Sequence, residues 1–113
     1  MDTLLLYLKD FDLVLDAMRG VVSNPKGTGY ESGHTAKYTY GGKSGTAQVF
    51  SLQKGQQDKA GELPLKLRDH SWFVSFVPAH HPTMVMVVFL EHGGEGKAPF
   101  ITRQILDSYE TTN

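Results

Sequence analysis

Seven consecutive apolar residues, Met84-Val85-Met86-Val87-Val88-Phe89-Leu90, constrain this chain more than any other feature. The run is far shorter than the ~20 residues a membrane-spanning helix needs, and turn residues bound it on both sides, so it reads as a strand. A strand that does not alternate polar with apolar residues is expected to be buried on both faces. A chain of 113 residues can build only a modest core, so part of that cover is expected to be borrowed from elsewhere. Ser71 to Val77 reads as a second strand, joined to the first across Pro78-Ala79-His80-His81-Pro82. An antiparallel hairpin is the natural connection.

Other segments supply the remaining elements. From Asp12, the apolar residues Leu13, Val14, Ala17, Met18, Val21 and Val22 recur at three- and four-residue steps, which predicts an amphipathic helix capped by Asp12. It should end near Ser23, because the turn cluster Asn24-Pro25-Lys26-Gly27-Thr28-Gly29 cannot continue it. Ala36 to Phe50 reads as a strand with a glycine-loosened middle, and such glycines mark a bulge or the close approach of another backbone. Ser51 to Asp69 is polar and is expected to form a long excursion. After Gly93-Gly94-Glu95-Gly96, a last helix carries Phe100, Ile101, Ile105, Leu106 and Tyr109, with Pro99 in its first turn. The fold class expected is therefore α/β (α+β), a three-stranded antiparallel sheet with an N-terminal and a C-terminal helix. Residues 1–113 are expected to form a single partial domain, and Met1 to mark a start inside a longer protein.

Charge and cysteine content narrow the function. A formal net charge of -1 gives no footprint for a polyanion, so nucleic acid is not an expected partner. The absence of cysteine excludes disulfides, thiolate metal sites and a cysteine nucleophile. His80 and His81 fall in the hairpin turn and His70 and His92 near strand ends, without the paired spacing of a zinc site. No metal and no cofactor are expected. The short run Leu4-Leu5-Leu6-Tyr7-Leu8 cannot span a bilayer, and the chain as given is expected to be soluble.

The chemistry concentrates in Lys43-Ser44-Gly45-Thr46. Strand periodicity puts Ser44 and Thr46 on one face, where two hydroxyls can converge on a small acceptor such as a carboxylate. Lys43 adds positive charge, and Gly45 removes a side chain, so that a substrate backbone or a partner helix can come close. Taken alone, the tetrapeptide also fits a twisted edge strand with a surface lysine. In its wider setting, Gly42-Lys43-Ser44-Gly45-Thr46-Ala47-Gln48 resembles the third motif of the penicillin-binding proteins, a serine acyltransferase family. The pieces on either side match in order: Asp16 to Thr28 before the strand, then Arg68-Asp69-His70, Trp72 to Pro78, Glu91 to Gly94 and Arg103 to Asp107 after it. The wording is similar to the class B, elongation-specific members, the penicillin-binding protein 2 type.

The resemblance implies a fragment of the transpeptidase fold shared by penicillin-binding proteins and serine β-lactamases. It implies a parent enzyme that cross-links peptidoglycan stem peptides through an acyl-serine intermediate and is inhibited by β-lactams. Lys43 would be catalytic, helping to move the nucleophile's proton. Ser44, Gly45 and Thr46 would bind substrate, the two hydroxyls holding its carboxylate and the Thr46 N–H serving the oxyanion hole, while Gln48 would line the groove's far end. The parent would be anchored in the bacterial inner membrane, with this domain in the periplasm, among the cell-wall elongation machinery. Two family motifs are missing. No Ser-x-Asn occurs, and the Ser-x-x-Lys matches at Ser23 and Ser51 lie at a helix end and in a loop, so this chain alone is expected to be inactive. The alternatives are a β-lactamase or carboxypeptidase fragment of the same fold, or a non-catalytic module that pairs through an open β edge. The apolar strand also predicts that the isolated chain dimerises or exchanges strands.

Overall fold

The apolar hairpin forms as its sequence demands, and the rest of the chain is arranged around it. The computed structural model describes residues 2–48, 67, 69–94 and 96–112. In chain order these form helix α1 (Asp2–Ser23), a one-turn helix α2 (Tyr30–Gly33), strands β1 (Gly41–Ala47), β2 (His70–Val77) and β3 (Met84–Leu90), and helix α3 (Ala98–Thr112). The sheet is antiparallel in the order β1-β2-β3, so the expected α/β (α+β) architecture is the one observed. A backbone bond from Thr83 N–H to the Val77 carbonyl at 3.0 Å closes the hairpin turn.

Register then sorts the side chains between two faces. Phe73 and Val77 of β2 and Val88 of β3 meet Val22 of α1, Tyr40, and Ala98 and Leu106 of α3 in one hydrophobic core. Both long helices thus serve the same side of the sheet. Arg19 fastens α1 to the hairpin, its Nε donating to the Ala79 carbonyl at 2.8 Å while the Ala79 N–H donates to Thr39.

The other face is open, contrary to the expectation that β3 is buried on both sides. Val87 is 59% exposed, and Val85, Phe89 and Trp72 lie exposed beside it. Strand alternation sends those side chains away from the helices, so the apolar composition of β3 describes a second layer that the described residues do not supply.

Three other features differ from the sequence reading. Asp12 lies within α1 instead of capping it: neither proline nor glycine interrupts residues 2–19, and leucine favours helix, so nothing stops the helix before Asp2. Among its described side chains burial falls at the C-terminal end, for Val22 is in the core whereas Leu13 is 70% exposed. The predicted strand from Ala36 shortens to Gly41–Ala47, and α2 precedes it; Val49 and Phe50 lie outside the described residues, as does most of the predicted excursion from Ser51. In α3 the inward positions are Ala98, Thr102 and Leu106, while Phe100 and Ile105 face outward. Among the described residues no helix is long and apolar enough to cross a membrane.

Leu106 is fully buried in the core, so Leu106→Ala should lower the unfolding free energy by about 2–5 kcal/mol in denaturant titrations. Phe100→Ala, on the outer side of the same helix, should change it by much less.

Candidate functional site

β1 pairs with β2 through Gly41↔Phe76 to Ala47↔His70, and no strand among the described residues pairs with its other edge. That is the open backbone a peptide needs to add itself as a further strand. Ser44 and Thr46 pair with Phe73 and Ser71, so both point to the helix-bearing face. There they line a cavity of about 260 Å³ with Thr28, Ser71, Gly96 and Pro99. The Ser44 hydroxyl is 3.0 Å from the Thr28 hydroxyl. Ser71 forms the floor, its Oγ accepting a long 3.4 Å bond from the Ala98 N–H at the start of α3.

Lys43 and Gly45 take the opposite face by the same alternation. The Lys43 ammonium donates to the Ser44 carbonyl at 2.6 Å, holding the charge at the strand and not among the hydroxyls. The room left by Gly45 is taken by the indole of Trp72, its cross-strand partner, and a β-carbon at residue 45 would collide with that ring. On that face the glycine admits a neighbouring side chain, while Gly45 also lines the cavity on the other face. Gln48 follows the strand and is exposed.

The comparisons with known proteins decide what this strand belongs to. The family described as the penicillin binding protein transpeptidase domain matches residues 8–107. This chain belongs to the penicillin-binding protein transpeptidase family. Among its relatives, the peptidoglycan D,D-transpeptidase MrdA of Salmonella typhimurium is 44% identical over 97 residues, covering 84% of this chain and 16% of the relative. The Escherichia coli K12 protein of that name is 39% identical over 98 residues. The chain thus spans about 16% of the length of the curated relatives it matches. Among solved structures, Pseudomonas aeruginosa PBP2 in complex with WCK 5153 superposes with a TM-score of 0.66 at 33% identity, over 87% of this chain and 18% of that one. Helicobacter pylori PBP2, in complex with MreC, gives 0.70 at 26% identity, over 91% and 18%. The resemblance to the penicillin-binding protein 2 type and its transpeptidase fold is thereby established.

Among the described residues no Ser-x-x-Lys pair lies on a helix. Ser23 ends α1 and Lys26 lies in the following turn, where its N–H donates to Asn24 Oδ1 at 2.9 Å, so no helix carries that pair; Ser51 and Lys54 lie outside the described residues. His34, His70 and His92 engage backbone groups and neighbouring rings. His70 Nδ1 accepts from the His92 N–H at 2.9 Å and its ring lies 4.5 Å from that of His92, while His34 stacks on Tyr30.

A larger surface cavity, about 530 Å³, is lined by Thr35, Lys37, Tyr38, Arg103, Asp107 and Glu110, and four of these, Thr35, Tyr38, Arg103 and Asp107, are bonded to one another. Tyr38 Oη donates to Asp107 at 2.6 Å and Arg103 Nε donates to the same oxygen at 2.8 Å. Arg103 Nη1 also donates to the Ser32 carbonyl and to Thr35, each at 2.9 Å, which clamps α3 to α2. Burial first, and the bond to Asp107 second, hold the Tyr38 phenol well above its usual range. The donors on Tyr38 and then on Arg103 hold the Asp107 carboxyl below the usual carboxylate range.

The clamp makes a prediction about pH. A carboxyl whose folded-state pKa is depressed adds stability above its unfolded value and loses it as pH falls through the folded value. Asp107→Asn should therefore lower the denaturation midpoint at neutral pH. The gap to wild type should close as pH drops below about 4, where the unfolded carboxyl protonates.

Proposed function

We propose that these 113 residues form the C-terminal part of the transpeptidase domain of a peptidoglycan D,D-transpeptidase, in which they supply the substrate-binding strand. The observation that carries this reading is the pairing of Ser44 and Thr46 on one cavity wall beside an open β edge. A stem peptide would lie along β1 as an added strand, its terminal carboxylate held by the two hydroxyls. Lys43 would swing from the Ser44 carbonyl towards the nucleophile, and the Thr46 N–H would donate to the oxyanion. Gln48 would border the groove beyond the strand.

The reaction is acyl transfer at the D-Ala-D-Ala bond. A serine contributed by another part of the parent adds its oxygen to the penultimate carbonyl carbon while its proton passes to a base. The C–N bond breaks, and the terminal D-alanine leaves with a proton on its amine. The amine of a second stem peptide then attacks the ester, forming the cross-link and freeing the serine. β-Lactams would acylate that serine through the same groove. The names of the relatives favour this outcome over a carboxypeptidase or β-lactamase, in which water takes the place of the amine. The Helicobacter pylori complex of PBP2 with MreC supports association of the parent with the elongation machinery. The parent would be anchored in the inner membrane, with this domain in the periplasm.

A second reading concerns the chain by itself. The exposed Trp72, Val85, Val87 and Phe89, with the exposed Leu13 and Phe11 of α1, favour self-association through the face or edge that the parent would cover. Sedimentation velocity should show a concentration-dependent dimer, and Val87→Lys should shift it to monomer; a monomer at every concentration would count against this reading.

The main reading is tested with fluorescent penicillin. The isolated chain should take up no covalent label. A chimera of the Escherichia coli relative carrying residues 8–107 in place of its matching segment should be labelled, and Ser44→Ala with Thr46→Val should slow that labelling by about 10- to 100-fold, the worth of charge-assisted hydrogen bonds. A chimera that folds but takes no label would refute the assignment.

A further inference from the structure

The two hydroxyls identified from the motif have a third beside them. Thr28 comes from the turn after α1, and its Oγ1 lies 3.0 Å from Ser44 Oγ on the wall of the same cavity. Its position is built and not incidental. The Asn24 N–H bonds back to the Gly20 carbonyl at 3.0 Å and the Gly29 N–H to the Val21 carbonyl at 2.9 Å, folding the turn onto the helix end. Gly27 lies so close to the Val21 backbone that a β-carbon there would collide with it. With residues on both sides held against α1, Thr28 is the member of the turn presented to β1.

Proton counting shows what the pair can do. A carboxylate accepts hydrogen bonds and donates none, so each hydroxyl that holds it must spend its single proton on it. If Ser44 donates to Thr28, its own proton is used and only lone pairs face the ligand. The bond must therefore run the other way when a carboxylate is bound, with Thr28 donating to Ser44 and Ser44 donating to the carboxylate. Such a chain orients the Ser44 hydroxyl and polarises it, which strengthens the outer bond. Thr46 reaches the same cavity independently.

We infer that Thr28 is a positioning residue for carboxylate recognition: it fixes the Ser44 rotamer and directs the Ser44 proton into the cavity. The ligand class rests on the proposed function, but the control of Ser44 by Thr28 does not. Valine keeps the β-branch and the size of threonine and removes only the hydroxyl, so Thr28→Val isolates the effect, and Thr28→Ser restores the donor.

Two measurements test the inference. In the 113-residue chain, the NMR Hα–Hβ couplings of Ser44 should report one dominant rotamer; Thr28→Val should average them and Thr28→Ser should keep them. In the penicillin-labelled chimera, Thr28→Val should raise the half-saturating penicillin concentration about three- to tenfold and leave the limiting acylation rate within about twofold, in line with one lost neutral hydrogen bond. Thr28→Ser should bring the half-saturating value back. Unchanged Ser44 couplings in Thr28→Val would overturn the positioning role, whether or not the chimera is active. Changed couplings with an unaltered half-saturating concentration would overturn its part in recognition. A wild-type chimera without label would instead defeat the functional assignment, and the couplings would still decide the role of Thr28.

Discussion

Antiparallel pairing of β2 with its two neighbours is the constraint on which the rest depends. Because side chains alternate along each strand, that single register assigns every residue of the sheet to one face or the other. Phe73, Val77 and Val88 go to the face that collects α1 and α3. Ser44 and Thr46 go with them, at the end where the core gives way to a cavity. A slip of one residue would send the hydroxyls to the face of Trp72 and bring Lys43 into their place. Core and candidate site are thus fixed by the same hydrogen bonds.

The two sides of the sheet have different histories of cover within this chain. On one, the buried end of α1 and the inward side of α3 close over the strands, and long-range bonds hold them: Arg19 to the hairpin, Arg103 to α2, Tyr38 to Asp107. On the other, an apolar surface is left exposed. Members of the family are several times longer than this segment, and the open surface is consistent with their additional chain lying against it. The same physical fact underlies the proposed self-association, since apolar area left in water favours any partner that removes it.

The open edge of β1 has a different meaning from the open face. Unpaired amides and carbonyls on an edge strand are available for directional bonding, whereas apolar side chains offer only area. A peptide substrate can use the first and a packing layer the second. Lys43, Gly45 and Trp72 sit where the two meet: the ammonium rests on the strand's own carbonyl and the indole fills the glycine's vacancy.

Much of the architecture was legible in the sequence because it rests on local rules. The apolar run of β3, the proline turn before it, the glycines around Lys43 and the periodic residues of α3 gave the elements and their order, and the Lys-Ser-Gly-Thr-Ala-Gln wording gave the family. Local rules misplaced the start of α1, since a good cap residue at Asp12 does not stop a helix whose upstream residues also favour helix. They also overstated burial, since an apolar residue reports that cover is wanted and not that this chain provides it. The meeting of Thr28 with Ser44, sixteen residues apart, and of Arg103 with Ser32 and Asp107 with Tyr38 could not be read from spacing at all. Those contacts exist only because turns fold distant segments onto one sheet face. The sequence determined which residues could carry carboxylate recognition; the tertiary structure alone decided which of them stand together, because direction in space is set by register and packing and not by order along the chain.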